Sequence, residues 1–190
     1  MMEEQKRVEI SSAADLRKWL EIHHSQEESI WLVTFKKHVQ GKYVSTSEVL
    51  DELVSFGWID GRRMKLDENR TMQLISPRRV QHWAKTYKDR AAKLEREGRM
   101  TDVGRKCIAD SKENGLWNFM DDVDALIKPD DFIKALASHP GARENFDNFG
   151  PATQRFALRW IKLAKKPETR AKRIAKTALL ASKNEKVPGS

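Results

Sequence analysis

The chain has 190 residues, of which 39% are hydrophobic and 34% charged, a balance typical of globular proteins with one or two domains. Its longest apolar run, from Ile30 to Phe35, is far shorter than the roughly 20 residues needed to cross a bilayer, which excludes a membrane span. No apolar run follows a basic region near the start, as in a secretory signal, so the sequence predicts a cytoplasmic protein.

The N-terminal part predicts a small α+β layer with a largely antiparallel sheet. In chain order the predicted elements are a strand from Lys6 to Ile10, a helix capped by Ser11 or Ser12, a strand from Glu28 to Lys37, a helix from Ser45 or Thr46, and two strands, Trp58 to Leu66 and Thr71 to Ser76. The strand from Glu28 to Lys37 is apolar on both faces, so we expect it in the centre of the sheet. In the first helix, the apolar residues Leu16, Trp19, Leu20 and Ile22 are expected on or near one face.

Beyond Pro77 the apolar period changes from two to about 3.6, which predicts a helical second half. Proline or glycine marks most of the predicted helix ends. These helices are expected at Gln81 to Glu97, Asp102 to Asn114, Pro129 to Ser138, Pro151 to Lys165 and Pro167 to Lys183. The sequence therefore predicts a sheet domain over residues 1–80 and a helical domain over residues 81–190, which either stay separate or form one compact unit.

Cys107 is the single cysteine, which excludes an intramolecular disulfide and a cysteine-based zinc site. With no histidine close by in sequence, it is expected to be a buried, inert thiol rather than a nucleophile. The five histidines lack the spacing of metal ligands, and no hydrolytic triad or phosphate-binding glycine loop is recognisable. We therefore expect no metal and no cofactor, and a non-enzymatic role is favoured.

The run Phe56-Gly57-Trp58-Ile59-Asp60-Gly61 concentrates aromatic, acidic and glycine residues. Gly57 and Gly61 bracket Trp58-Ile59-Asp60, and each glycine lets the backbone turn sharply or approach another group closely. Alternation along the strand places Trp58 and Asp60 on one face of the sheet. If that face is open to solvent, Asp60 can meet the arginines nearby in the chain.

The segment Ser76-Pro77-Arg78-Arg79 leads into the helix predicted from Gln81, whose first turn offers free backbone N–H groups to an anion. Trp83 is expected in that first turn, either as a lid over a site or as a core anchor. Two interpretations stay open: a structural ion pair between Asp60 and an arginine, or a pocket for a small anionic or aromatic ligand. The residues of the ligand-pocket hypothesis are Trp58, Asp60, Arg78, Arg79 and Trp83.

Positive charge is concentrated near the C-terminal end. Residues 151–190 contain eleven lysines and arginines against two acidic residues and carry +9, so the other 150 residues sum to −1. This charge favours an anionic partner and makes weak nucleic-acid binding the alternative function, although a solvated helix face has the same pattern. The aromatic residues here fall on the apolar side, which disfavours base stacking. The residues of the nucleic-acid hypothesis are Arg159, Lys162, Lys166, Arg170 and Arg173.

Three segments together carry a family resemblance: Phe56 to Gly61, Ser76 to Arg79 with Trp83, and Ala164-Lys165-Lys166-Pro167-Glu168-Thr169-Arg170 with Arg173-Ile174. In these segments the chain resembles the bacterial YdeI/OmpD-associated family, also called bacteriocin-protection proteins, from about residue 13 to residue 184. The resemblance implies a role in protection against bacteriocins or cationic antimicrobial stress. It implies neither a reaction nor catalytic residues. Two functions follow: a ligand-binding protection or stress factor, or a nucleic-acid-binding regulator.

Overall fold

The computed structural model describes residues 6–189, which form two compact units, one extending to Asn118 and one beginning at Phe119. The first unit contains β1 (Arg7–Glu9), α1 (Ala13–His23), β2 (Ile30–Phe35), α2 (Thr46–Ser55), β3 (Trp58–Lys65), β4 (Arg70–Pro77), α3 (Lys85–Arg96) and α4 (Asp102–Glu113). The second contains α5 (Asp121–Asp124), α6 (Asp130–Ala137), α7 (Ala142–Asn148), α8 (Pro151–Lys162) and α9 (Pro167–Ser182). The fold is α+β, as predicted.

The four strands form a mixed sheet in the order β1-β2-β4-β3. β1 runs parallel to β2, whereas β4 is antiparallel to both of its neighbours. The predicted sheet was largely antiparallel, and the parallel pair corrects that description. Helix α1 carries the chain back to the end of the sheet at which β1 begins. β2 therefore runs in the same direction as β1. β2 is central and buried from Ile30 to Val33, as its apolar pattern predicts.

One face of the sheet packs against α1 and α2. Leu16 and Leu20 of α1, Leu53 of α2 and Ile75 of β4 are completely buried in this core. Ile22, which was expected on or near the same helix face as Leu16 and Leu20, is 74% exposed and lies off that face. At about 100° per residue, Ile22 lies roughly 240° around the helix from Leu16 and therefore faces away from the sheet.

Side chains cap the first two helices as their sequences indicate. The backbone N–H of Asp15 donates to Ser12 Oγ over 3.1 Å, and the Asp15 carboxylate accepts a hydrogen bond from the backbone of Ser11. Ser45 and Glu48 form a complete capping box at the start of α2. These local contacts fix where each helix begins relative to the sheet.

The chain between β4 and α3 is a loop, and α3 begins at Lys85 rather than at Gln81 as predicted. Trp83 therefore precedes the helix, and its backbone N–H donates to Leu116 O over 3.1 Å. Arg78 holds the other end of the loop, since its backbone N–H donates to Gly57 O over 2.9 Å. Contacts with distant segments thus replace the helical hydrogen bonds that the local pattern favours.

Helices α3 and α4 belong to the same compact unit as the sheet, so contacts divide the chain after Asn118 rather than near residue 80. Val54 of α2 shares a buried cluster with Ala91, Leu94 and Met100. Within the described residues no strand lies beyond Pro77, as the change of period predicts. Among those residues, none of the helices combines the length and apolar character needed to cross a bilayer.

The second unit is entirely helical in the residues described. Phe132 and Phe146 stack edge to face at its centre, with ring centroids 5.0 Å apart. Pro151 and Pro167 begin α8 and α9, as predicted, because a first-turn residue needs no backbone N–H donor. The short helices α5 and α7 escaped prediction, since each is too brief to show a clear helical period.

A candidate ligand pocket in the first unit

A cavity of about 450 Å³ lies beside the start of β3, the end of β4 and one side of α4. Its lining is both apolar and charged, and it includes Phe56, Trp58, Pro77, Arg78, Arg79 and Cys107. Three of the five residues in the ligand-pocket hypothesis therefore line one cavity. Asp60 and Trp83 are not part of the lining.

Gly57 lets the start of β3 approach α4 closely enough to close one side of the cavity. Its φ is +69°, in the region that favours glycine, and a Cβ added there would lie 2.7 Å from Cys107 Cβ. Gly104 on α4 is equally constrained, because an added Cβ would lie 2.2 Å from Ser55 O. The close approach that the sequence predicts at Gly57 is therefore made to α4.

Arg78 is the central side chain of the site and is only 7% exposed. Its Nη1 donates to the carbonyl oxygens of Gln81 and His82 over 3.3 and 3.0 Å. The guanidinium carbon lies 4.1 Å from the Trp83 ring centroid and 4.8 Å from that of Tyr87. Two carbonyls and two aromatic faces therefore fix the orientation of the guanidinium before any ligand binds.

Some of the buried hydrogen-bond donors of Arg78 and Trp83 have no acceptor. Among the described residues, Arg78 Nε, Arg78 Nη2 and Trp83 Nε1 are the buried side-chain polar atoms without a hydrogen-bond partner. Burial lowers the pKa of Arg78, because a charged group loses its hydration when it is buried. A buried donor without an acceptor typically costs about 1–3 kcal/mol, and more when the group is charged.

Asp60 supports Arg78 indirectly. Its carboxylate accepts hydrogen bonds from Gln73 Nε2 over 2.8 Å and from the hydroxyl of Tyr87. Burial, together with the bond to Asp60, raises the pKa of Tyr87. Tyr87 is thereby held as a neutral donor whose ring lies against the Arg78 guanidinium.

Trp58 and Asp60 share a face of the sheet, as alternation predicts, but that face is covered by helices. Trp58 is buried, and its indole N–H donates to His24 O over 3.2 Å. In the described part of the chain, no ion pair joins Asp60 to Arg62, Arg78 or Arg79, so the structural ion pair considered from the sequence is not formed; Gln73 and Tyr87 are its partners instead. Asp60 and Trp83 instead lie behind the Arg78 side chain and position it.

The other cations of the lining already have carboxylate partners. Arg79 is exposed and lies 3.5 Å from the carboxylate of Glu27, and Lys106 lies 3.0 Å from that of Asp110. No carboxylate of the described residues pairs in this way with Arg78. The lining therefore holds one positive charge that no direct ion pair compensates.

Cys107 is half-buried and lines the cavity, with its sulfur 3.8 Å from Gly57 O. Burial raises the pKa of the thiol, although the charge of Arg78 opposes this. A raised pKa disfavours the thiolate, which is the reactive form. These properties agree with the inert thiol expected from the sequence.

Sequence reasoning missed a second polar cluster, built on the buried acids Asp51 and Glu52 of α2, each 4% exposed. Asp51 accepts hydrogen bonds from Arg90, Lys93 and Arg99, and Glu52 accepts from Arg17 and Arg99. Burial alone would raise the pKa of Asp51, but the bonds and charges of Arg90 and Lys93 hold it below its usual value. The signal available in the sequence was the position of two acids inside the apolar run Val49 to Val54.

Within the second unit, Lys162, Arg170 and Arg173 of the nucleic-acid hypothesis contact other residues. Lys162 lies 2.5 Å from Asp122, and Arg170 forms two hydrogen bonds with Asp131 over 2.8 and 2.9 Å. Arg173 donates to Trp160 O over 2.5 Å. Arg159 and Lys166 are exposed.

Trp160 of α8 lies among cations as well as against the core. Its ring is half-buried, and Arg173 and Lys176 lie 5.1 and 6.0 Å from the ring centroid. The expectation that the aromatic residues of these helices fall only on the apolar side therefore needs correction. The physical reason is size, since an indole at the edge of the apolar stripe reaches both the core and the charged surface.

Comparison with known proteins finds two family models that match separate parts of the chain. The model described as "Domain of unknown function (DUF8412)" matches residues 8–107, and the model described as "Bacteriocin-protection, YdeI or OmpD-Associated" matches residues 125–184. No curated protein and no solved structure shows significant similarity. The predicted resemblance is thus confirmed for the C-terminal part, whereas the motifs around Trp58 and Arg78 fall in the other match. The chain belongs to the DUF8412 family of domains of unknown function, and its C-terminal part matches the YdeI/OmpD-associated bacteriocin-protection family.

Proposed function

We propose that this protein is a bacteriocin-protection or stress factor that binds a small anionic ligand in the cavity beside Arg78. The family match of the C-terminal part supports the protective role. The unpaired donors of Arg78 support the ligand. In this proposal the protein acts by binding rather than by catalysis.

The observation that carries the proposal is a buried, fixed guanidinium with two unpaired nitrogens beside a cavity. Such a group destabilises the free protein, because its donors have lost water without gaining another acceptor. An anion supplies both the acceptors and the opposite charge, and charge-assisted hydrogen bonds of this kind are roughly twice as strong as neutral ones. Phe56 and Trp58 add an apolar wall for the body of the ligand.

Binding is tested by measuring thermal unfolding of the whole chain with acetate, benzoate, phosphate and sulfate at constant ionic strength. We expect at least one anion to raise the Tm in proportion to its occupancy, because a ligand that binds only the folded state stabilises it. Arg78→Met should abolish the shift. The matched variant Arg96→Met, which removes an exposed arginine of α3 outside the cavity lining, should keep it.

Two results would contradict ligand binding at Arg78. One is a Tm that no anion changes in the wild-type protein. The other is an equal shift in wild type and Arg78→Met, which would place the anion elsewhere. Far-ultraviolet circular dichroism of both variants checks that each is folded.

We propose weak polyanion binding by α8 and α9 as a second candidate function. The specific observation in its favour is Trp160, whose half-buried ring has two cations beside it. An aromatic face flanked by cations suits the bases and phosphates of nucleic acid. Lys165, Lys166 and Lys172 are exposed and extend the same positive surface.

A further inference from the structure

We infer that the ligand of the Arg78 cavity is a monocarboxylate with an apolar or aromatic body, and not a phosphate or another dianion. This inference rests on the proposed function, because it names the chemical class of ligand for the same site. Hydrogen-bond geometry, net charge and donor inventory all support it.

The first argument is the shape of the unpaired donor group. Nε and Nη2 lie along one edge of the planar guanidinium, and their N–H groups run side by side toward a shared partner. Nη1 is already committed to the carbonyls of Gln81 and His82, so one bidentate edge is left. The two oxygens of a carboxylate match one such edge, with two parallel N–H···O bonds.

The second argument is charge. Arg79 and Lys106 are paired with Glu27 and Asp110, which leaves the charge of Arg78 as the excess in the lining. A monoanion neutralises that excess. A dianion would place a second, uncompensated negative charge in a partly desolvated cavity that also contains Asp110, which is unfavourable.

The third argument is that every missing partner is an acceptor. Within the described chain, the buried side-chain atoms without partners are nitrogen donors of Arg78 and of the Trp83 that it stacks on. An ionised carboxylate only accepts hydrogen bonds, whereas an amide or an alcohol would bring donors for which the described residues have no unpaired buried side-chain acceptor.

The rest of the cavity accommodates an apolar body. Phe56, Trp58, Pro77 and Val103 contribute to the lining, and the volume of about 450 Å³ is within the range of small-molecule pockets. A ring or short alkyl group attached to the carboxylate would cover the apolar surface of these side chains and so remove it from water.

The test is isothermal titration calorimetry of the whole chain with acetate, benzoate and indole-3-acetate, each compared with its phosphonate and its carboxamide. We expect at least one carboxylate to bind at least tenfold more tightly than its phosphonate, and the carboxamides to show no binding. Arg78→Lys retains the charge but loses the two-donor edge, so it should weaken carboxylate binding at least tenfold. Arg96→Lys, outside the lining, should change it less than twofold.

The indole N–H resonance of Trp83 gives a readout that needs no substitution at Arg78. The bound carboxylate should shift this resonance, because the Trp83 ring stacks on the Arg78 guanidinium that the ligand contacts. Equal or tighter Arg78-dependent binding of a phosphonate, or binding of a carboxamide, would overturn the ligand class and leave the anion site intact. Absence of Arg78-dependent binding by every anion would overturn both the class and the proposed function.

Discussion

The side chain of Arg78 holds the loop before α3 and stacks on two aromatic rings, while Nε and Nη2 are left without acceptors. A purely structural arginine at this depth would normally have all of its donors paired. The support behind it, from Tyr87 to Asp60, keeps its position fixed. A rigid donor group of this kind lowers the entropic cost of binding, since little must be ordered when the ligand arrives.

Gly104→Ala is predicted to destabilise the protein by about 1–3 kcal/mol, the range for overpacking a close contact. The added methyl group would lie 2.2 Å from Ser55 O and 2.9 Å from Ser55 C, and both atoms belong to backbone that cannot rotate away. The urea-unfolding midpoint measures the change. Gly150→Ala is the control, because nothing lies within 4 Å of its added methyl group. A Gly104→Ala midpoint equal to the wild-type value would mean that α4 can move away from α2.

At the scale of elements, the buried acids of α2 tie three helices together. Glu52 pairs with Arg17 of α1 over 2.9 Å and with Arg99, just after α3, over 2.8 Å. Asp51 pairs with Arg90 and Lys93 of α3. Since removing one partner leaves the others buried without a counter-charge, the cluster holds α3 against α2 in one register.

Asp51→Asn is predicted to lower the free energy of unfolding by about 2 kcal/mol at pH 7, below the 3–5 kcal/mol of a fully buried pair, since its partners are partly exposed. The pKa of Asp51 is lowered in the folded state, so its stabilisation is present above the ordinary carboxyl pKa of about 4. As pH falls through the folded pKa, that stabilisation disappears. Urea unfolding at pH 7 and pH 3 should therefore show a difference between variant and wild type that shrinks in acid.

The matched control for this prediction is Asp89→Asn on α3, which loses an exposed pair with Lys85. Exposed pairs contribute about 0–1 kcal/mol, so its midpoint should stay close to the wild-type value at both pH values. An Asp51→Asn effect that is equally large at pH 3 would show that packing, rather than charge, explains it.

For the whole molecule, the outstanding property is the uneven charge, with +9 carried by residues 151–190 of a chain whose net charge is +8. The ion pairs of Lys162 and Arg170 with Asp122 and Asp131 consume part of that charge inside the second unit. Replacing either residue would therefore remove an ion pair of the second unit as well as a positive charge. The exposed lysines between α8 and α9 and along α9 are better probes of polyanion binding.

We predict that the chain binds labelled duplex DNA weakly and that the logarithm of affinity falls as salt rises, by a slope of about −0.9 for each phosphate contact. Replacing four exposed lysines with glutamine should make the slope shallower by about 0.9 for each lysine that contacts phosphate. The four are Lys165, Lys166, Lys172 and Lys176. Fluorescence anisotropy between roughly 50 and 200 mM salt measures the affinity and therefore the slope.

A variant with the same loss of charge in the first unit is the control for this measurement. In this control variant, four exposed residues are replaced by glutamine: Lys18, Lys37, Lys42 and Arg96. This variant should keep the wild-type slope. Equal flattening in both variants would indicate a general effect of net charge, and absence of binding at low salt would leave the positive surface as solvated helix.

The sequence by itself determined the features that depend on neighbours a few positions apart. Ser45 and Glu48 begin α2, Pro167 begins α9, and the apolar run from Ile30 makes β2 a central strand. Capping and periodicity act within one or two turns of the chain, so their outcome can be predicted without knowing the fold.

Tertiary structure alone decided which distant groups meet. The segment after Pro77 forms a loop because Gly57 and Leu116 bind its backbone, and Asp60 pairs with Tyr87 rather than with an arginine. Trp58, Arg78 and Arg79 were predicted as neighbours in a site, and they do line one cavity, but the unpaired edge of Arg78 depends on the tertiary structure. The physical reason is that hydrogen-bond satisfaction and burial depend on groups from several elements, whose arrangement no local pattern in the sequence contains.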